Sequence, residues 1–410
     1  MPTPDVSERY EHDQLTSDGS GKDGYRLWCR VMHLVQFMVL AIAAYLCFGV
    51  GSGAALWGQT SDSQTDEANK SWTATTESQS ANVEPTRIIE SHTQSGNRTV
   101  DKQSVQRLGS DGTYEPYQDI EKETVQVDAD TVRTTTRTFD RDGDGVKTLV
   151  QVLEEDQHTL SGGGSNVVRS TSSTDVNGNL QLIRRQIEET TKVNPNVEET
   201  KTTVLLPSIN GGLVPSVKVQ ERREREANGT VESQKTTLLP DGAGSWQVGE
   251  IRHTTTTQEG DSRRIDERVS VPDSEGKLGE ISHTVSLDMK VAGENRKTVE
   301  TYSVDVPGAV PDGSLHLVER ATTAQHTSST GQQTTEQQVE QRNAGDPDSG
   351  LQVTVLTTDT VRPVASGGLA TRTIQARDAN GSFGVITVDT SKSDNIHAIQ
   401  VQIAPSEKPK

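Results

Sequence analysis

Turn signals built from Gly, Asp and Asn recur along this chain about every 33 residues, and no other feature restricts its fold as tightly. One series is centred near Asp111-Gly112, Gly143, Asn177-Gly178, Asn210-Gly211, Asp241-Gly242, Glu275-Gly276, Asp312-Gly313 and Asn380-Gly381, with a weaker member at Asp348-Ser349-Gly350. A second series interleaves with it at Gly96-Asn97, Asp128-Asp130, Gly162-Gly164, Asn194-Asn196, Asn228-Gly229, Gly260-Asp261, Gly293-Asn295, Gly331 and Gly367-Gly368. Two turns per period make the repeated unit a β-hairpin. The expected fold is all-β, a run of antiparallel hairpins over residues 86–403. Open sheets rarely exceed about ten strands without curling or splitting, so roughly eighteen strands are expected to form a long coiled or stacked meander.

The strands themselves support this. Over Leu278–Val291, Ile281, His283, Val285, Leu287, Met289 and Val291 alternate with polar residues, as in a strand with one buried side. Thr131–Phe139 and Arg252–Gln258 are rich in Thr, which favours extended backbone but supplies little core. Asp175-Val-Asn-Gly-Asn-Leu180, Asp273-Ser-Glu-Gly-Lys-Leu278 and Asp378-Ala-Asn-Gly-Ser-Phe383 share the pattern D-x-x-G-x-apolar. An Asp capping the turn and a Gly at positive φ account for it. Apolar residues crowd the first series of turns, such as Leu205, Leu206, Leu238, Leu239 and Trp246, whereas Glu, Arg, Thr and Gln surround the second. Each hairpin therefore has an apolar and a solvated end, which predicts a core band along one edge of the array.

Only 30% of the 410 residues are hydrophobic and 3% aromatic, so any core is thin. The net charge of -19 excludes a nucleic-acid partner. Cys29 and Cys47 are the only cysteines, which excludes a disulfide framework from the repeats.

Residues 31–57, VMHLVQFMVLAIAAYLCFGVGSGAALW, carry no Asp, Glu, Lys or Arg and exceed the ~20 residues that span a bilayer. Lys22, Arg26 and Arg30 precede them; Asp62, Asp66 and Glu67 follow. Positive charge stays inside. The reading is a disordered cytoplasmic tail over 1–30, a single-pass inner-membrane anchor over 31–57, a flexible linker over 58–85, the exported array, and a charged tail over 404–410. A cleaved leader is the alternative, a conventional one if translation begins at Met32. Either way the array lies outside the cytoplasm. A lipid-facing barrel fits the strand number but not the chemistry: apolar stretches cover half a strand, and Arg222, Arg223, Glu224 and Arg225 charge both faces.

Candidates for chemistry are sparse. Asp140, Asp142 and Asp144 with Gly145 match the start of a calcium loop, but its last position is Gln151. Weak calcium binding is the one cofactor expectation, against a plain hairpin turn. His283 and His397 alternate with apolar residues, as histidines packed on a strand surface do. Carboxylates lie among Arg and Lys, the pattern of cross-strand pairing. No nucleophile elbow, phosphate loop or dinucleotide fingerprint occurs, so no enzyme is expected.

At the level of its D-x-x-G-x-apolar turns the array is similar to the YD-type (RHS) hairpin repeats of bacterial surface proteins, though their Tyr is missing before Asp175, Asp273 and Asp378. The whole chain resembles bacterial membrane-anchored β-repeat proteins, a likeness that implies class and location only. The functional expectation is a structural or adhesive cell-envelope protein that displays the array and self-associates along sheet edges. The alternative is an exported binding module for polysaccharide or divalent cations.

Overall fold

The turns of both series are hairpin reversals, and between them the chain is strand. This computed structural model describes residues 71–80, 83–291, 293–305, 313–343, 345–365, 367–378 and 380–394. The strands are β1 Ser71–Ser80, β2 Val83–Ser95, β3 Arg98–Leu108, β4 Tyr114–Gln126, β5 Thr131–Arg141, β6 Lys147–Thr159 and β7 Ser165–Thr174. They continue as β8 Leu180–Asn194, β9 Val197–Pro207, β10 Leu213–Arg225, β11 Val231–Pro240, β12 Trp246–Glu259, β13 Ser262–Pro272 and β14 Leu278–Val291. The last are β15 Glu294–Ser303, β16 His316–Thr327, β17 Gln333–Asn343, β18 Asp346–Val364, β19 Gly367–Arg377 and β20 Phe383–Ser393.

Each strand pairs antiparallel with the next, and β20 pairs with β1 through Thr76↔Ser393 to Gln79↔Thr390. The sheet is thus a closed 20-stranded antiparallel barrel. This corrects the coiled or stacked meander. The twist carried by every antiparallel pair accumulates over the sheet and brings the last strand onto the first. Ser71–Ser80, assigned to the flexible linker from sequence, is a wall strand. Among the described residues no helix is long and apolar enough to cross a membrane; the anchor expected over 31–57 lies outside them, as do the tails over 1–30 and 404–410.

The turn chemistry is as expected. Asp175 Oδ1 accepts hydrogen bonds from the N–H groups of Asn177 and Asn179, while Gly178 sits at φ 82° and closes the turn onto the Asp175 carbonyl. Asp273 and Asp378 repeat it. These turns gather at one end of the barrel, the first rim; the second series forms the other. In every paired hairpin from β3–β4 to β19–β20 that turns at the first rim, the second strand carries an extra residue, among them Tyr117, Val150, Ile183 and Ile386, and β18 has a second, wider shift between Leu351 and Asp346. Such bulges raise the local twist and bend the strand, which helps the wall to curve.

Register sorts the side chains into two sets. Partners across a ladder share a face: Thr76 leads to Ile88, Val105 and Gln118, and the trace returns through Val361, Ala370 and Ser391 to Ser78. This set faces the lumen. Concave surfaces crowd their side chains, and of the buried residues only Asp119, Thr135 and Val197 belong to the other set. A cavity of about 300 Å³ also opens on this set, beside Ser78, Ser80, Arg372 and Ser391.

Among the described residues no packed core fills the barrel. Their only cluster of buried apolar side chains is Val361 with Ala370, and the largest fully buried side chains are those of Thr76 and Ser393. Collapsed walls bury bulky side chains from both inner faces, so this lumen is hollow. The core band predicted at the apolar ends is absent: Leu206, Leu239 and Leu278 are exposed. On β14 the buried residue is Ser286, from the polar face, because Val285, Leu287 and Met289 belong to the outward set, over which no second layer packs.

Candidate functional site

The lumen wall is the surface that closure creates, and its chemistry is polar. Thr–Thr pairs bridge neighbouring strands at 3.3 Å (Thr124–Thr134) and 3.1 Å (Thr190–Thr200). Charged residues stand in opposed pairs: Arg252 donates to Glu267 at 2.7 Å, and Arg169 lies between Glu155 and Glu188. His92 stacks on Trp72 and meets Asp101 at 2.6 Å. Arg372 grips Asp359 with two hydrogen bonds of 2.7 and 2.9 Å, which raise the guanidinium pKa further against the opposing effect of burial. Burial pushes Glu90 up, only partly offset by the hydrogen bond from Gln103. The expected cross-strand charge pairing is therefore present, on both faces of the wall.

Outside, the mid-height and second-rim surface is also charged. Arg98–Glu123 and Arg133–Asp156 close to 2.6 Å, Arg320 lies between Glu300 and Glu340, and Asp266 takes Arg264, Arg268 and His283. Toward the first rim the outward set turns apolar, with Tyr114, Phe139, Leu182, Leu238, Trp246 and Phe383. Cations lie over aromatic rings there: Arg87 on Tyr114 at 3.9 Å, Lys147 on Phe139 at 3.9 Å, and Lys218 on Trp246 at 4.3 Å. Within this belt Arg141 holds Asp119 with hydrogen bonds of 3.0 and 2.7 Å. Burial raises the Asp119 pKa, but Arg141, Ser104 and Lys147 outweigh it and hold the carboxyl below its ordinary value.

The belt is short and interrupted, with Arg141, Lys147 and Arg377 among its apolar residues. A wall facing lipid needs an apolar band about 25 Å tall, and an Arg at its middle costs ~2–4 kcal/mol. The outer face meets that requirement only near the first rim.

The three candidate metal ligands are not brought together as a site. Asp142 caps its turn, accepting from the N–H groups of Asp144 and Val146, and Asp140 accepts from Gln118. Among the described residues no group of three or more His, Cys, Asp or Glu could hold a metal ion. His283 packs on a strand as expected, stacked on Tyr302; His397 lies outside the described residues.

The seam is what sequence reasoning missed. Ser78 Oγ and Ser391 Oγ lie 2.8 Å apart, and Thr75 N donates to Asp394 Oδ1 at 2.7 Å, across more than three hundred residues of chain. Ser and Thr are abundant throughout, so nothing in their local pattern singles these out.

No protein-family model matches the chain, and no curated protein does. Several solved structures share its broad architecture. The FrpB iron transporter from Neisseria meningitidis aligns with a TM-score of 0.43 at 7% identity, over 79% of this chain and 74% of that one. The siderophore receptor PirA from Pseudomonas aeruginosa gives 0.42 at 9% identity, over 81% of each chain. OccK3 (OpdO) from the same organism gives 0.41 at 11%, over 79% of this chain and 94% of that one. At these values the likeness carries no argument, and closure rests on the β1–β20 ladder.

Closure overturns the sequence-based account of function. The terminal strands, expected to recruit a second copy along exposed edges, pair with each other. An adhesive display array on a single inner-membrane segment, and the polysaccharide- or cation-binding module offered as its alternative, both assumed an open sheet of projecting arms. The repeats instead form one wall around a lumen, so any association with a membrane concerns a barrel and not one apolar segment.

Proposed function

We propose that the chain is a non-enzymatic aqueous passage for small polar solutes, a channel or transport element whose wall is the closed barrel. The observation that carries this reading is a ring of twenty paired strands enclosing an interior without a packed core. Barrels of about 16–18 strands already leave a water-filled channel. Hydroxyls, amides and ion pairs line much of this one, with small aliphatic residues such as Val105, Val361 and Ala370 set among them. Its lumenal charges come as opposed pairs, and passage discriminates little by charge sign.

Two neighbouring residues of β17 test the hollow interior: Glu336 belongs to the outward set and Gln337 to the lumenal set. In Gln337→Cys a small charged methanethiosulfonate is expected to label the thiol, and a long-chain polyethylene-glycol maleimide to label it far more slowly. Glu336→Cys is expected to react readily with both. Charge discrimination tests the passage, with small methanethiosulfonates of either sign expected to reach Gln337→Cys at similar rates. An unreactive Gln337→Cys, or labelling by reagents of one charge sign alone, overturns the reading.

A further inference from the structure

The barrel is closed, but not along its full height. β19 pairs with β20 all the way from Phe383 to Ser393, whereas β1 reaches only Thr390–Ser393. The β1–β2 hairpin ends with Ser80 opposite Val83, level with Thr387, whose hydroxyl lies 3.3 Å from that of Ser80. Beyond that tip, no described strand lies beside the free edge of β20. Among the described residues this leaves a notch in the wall at the first rim.

The strand bordering the notch is unlike an ordinary edge. Natural sheets blunt their edges with Lys, Pro or inward charges. Residues 383–388 read Phe-Gly-Val-Ile-Thr-Val, with no charge and no proline. Phe383, Val385, Ile386 and Val388 are 38%, 58%, 56% and 44% exposed, more exposed large apolar residues than any other strand carries among those described. In an antiparallel strand alternate residues turn their N–H and C=O groups away from the paired neighbour. Here those groups have β-branched and aromatic flanks that favour extended pairing.

We infer that the β20 edge over Phe383–Val388 is a docking site for an extended segment of a partner polypeptide, which adds to the barrel as a strand and fills the notch. The ligand chemistry follows from the edge. Backbone amides supply the bonds, and alternate apolar side chains match Val385 and Val388. The added strand continues the line along which β1 already pairs with Thr390–Ser393. The cavity of about 300 Å³ opens beside this junction, and Glu84 and Asp389 line it with Arg372, whose charge is matched by Asp359. That balance is acidic and fits a Lys or Arg at the end of the incoming segment.

The test uses the full chain and a synthetic peptide of alternating valine and threonine with one terminal lysine. Saturable binding is expected, weakened about tenfold or more in Val385→Lys/Ile386→Lys. Circular dichroism and an intact Ser78→Cys/Ser391→Cys crosslink verify that the variant barrel is closed. Two further peptides carry N-methyl groups on alternate amides, in opposite phases. One phase is expected to bind like the parent peptide and the other to fail, because only one set of amides faces the edge. Three results overturn the proposal: no saturable binding, equal binding by both methylated peptides, or a dimer that Val385→Lys abolishes, which would give the edge to a second copy of this chain.

Discussion

The two rims are built from the same hairpins, yet glycine has one more use at the second. At the first rim it is used for its backbone angle: Gly276, at φ 81°, has no atom within 4 Å of where a Cβ would stand. At the second rim Gly96, Gly229 and Gly260 serve in the same way, at φ 58°, 88° and 58°, but two glycines are also used for space. A Cβ on Gly164 would lie 2.2 Å from the Thr190 carbonyl oxygen, and one on Gly367 only 2.1 Å from that of Ser393. Side chains follow the same division. The first rim has bulged strands, Asp-capped turns and cations resting on aromatic rings. The second has tight two-residue reversals at Gly96-Asn97 and Gly260-Asp261 and solvated ion pairs. Local conformation thus holds both rims; the first adds side-chain contacts, and the second adds close approach to the backbone of the neighbouring hairpin at Gly164 and Gly367.

That contrast can be broken most directly at Gly367. Gly367→Ala puts a side chain at φ 125° and against the end of β20, and about 3 kcal/mol or more of stability is expected to be lost. Urea denaturation gives the size, and hydrogen exchange is expected to show Thr390–Ser393 opening first. Next comes Arg141→Met near the first rim, which strips Asp119 of two hydrogen bonds and should cost about 2 kcal/mol. Arg133→Met, at an exposed pair toward the second rim, is expected to leave the denaturation midpoint unchanged. Equal losses at the two sites would erase the distinction. Gly276→Ala should cost about 1 kcal/mol, since only the left-handed conformation opposes it. If it matched Gly367→Ala, crowding at the second rim would have no energetic meaning.

The smallest effects concern pH. Backbone N–H groups of Asn179 and Asn177 hold the Asp175 carboxyl below its ordinary value. A depressed folded-state pKa gives stability that is present above the unfolded value and is lost as pH falls through the folded one. An acid titration is expected to show a decline at the low end of the carboxylate range that Asp175→Asn lacks. Glu90 in the lumen wall has the opposite sign: its raised pKa makes the fold gain stability as pH falls through it, and Glu90→Gln should flatten that gain. An unchanged acid profile in both variants would remove carboxylates from the account of either rim.

Much of the local structure was legible in the sequence. The strand read from alternation over Leu278–Val291 has those bounds in the structure, and the D-x-x-G-x turns have the cap and the φ that their chemistry requires. The apolar ends of the hairpins were visible too, but their burial was misjudged. An apolar cluster in sequence implies a core only when a second layer covers it, and at the first rim none does. Charge on both faces at Arg222–Arg225 led the sequence reading to set a barrel aside; that charge describes the wall, but it does not prevent the sheet from closing. Nothing pointed to the notch, because Phe383–Val388 reads as an ordinary strand until the short β1–β2 hairpin beside it is seen.

What the sequence determined alone was the unit: where the chain reverses, which turn it makes, and which charges face each other across a hairpin. All of these act within one period, through backbone angles and neighbouring side chains. The tertiary structure alone decided that the sheet closes, and therefore that it has an inside. Thr76 meets Ser393 only after the twist of twenty strands has accumulated, a sum that no single repeat encodes. Because most strands are polar on both faces, and β14 turns its apolar face outward, alternation could not say which face the lumen would take.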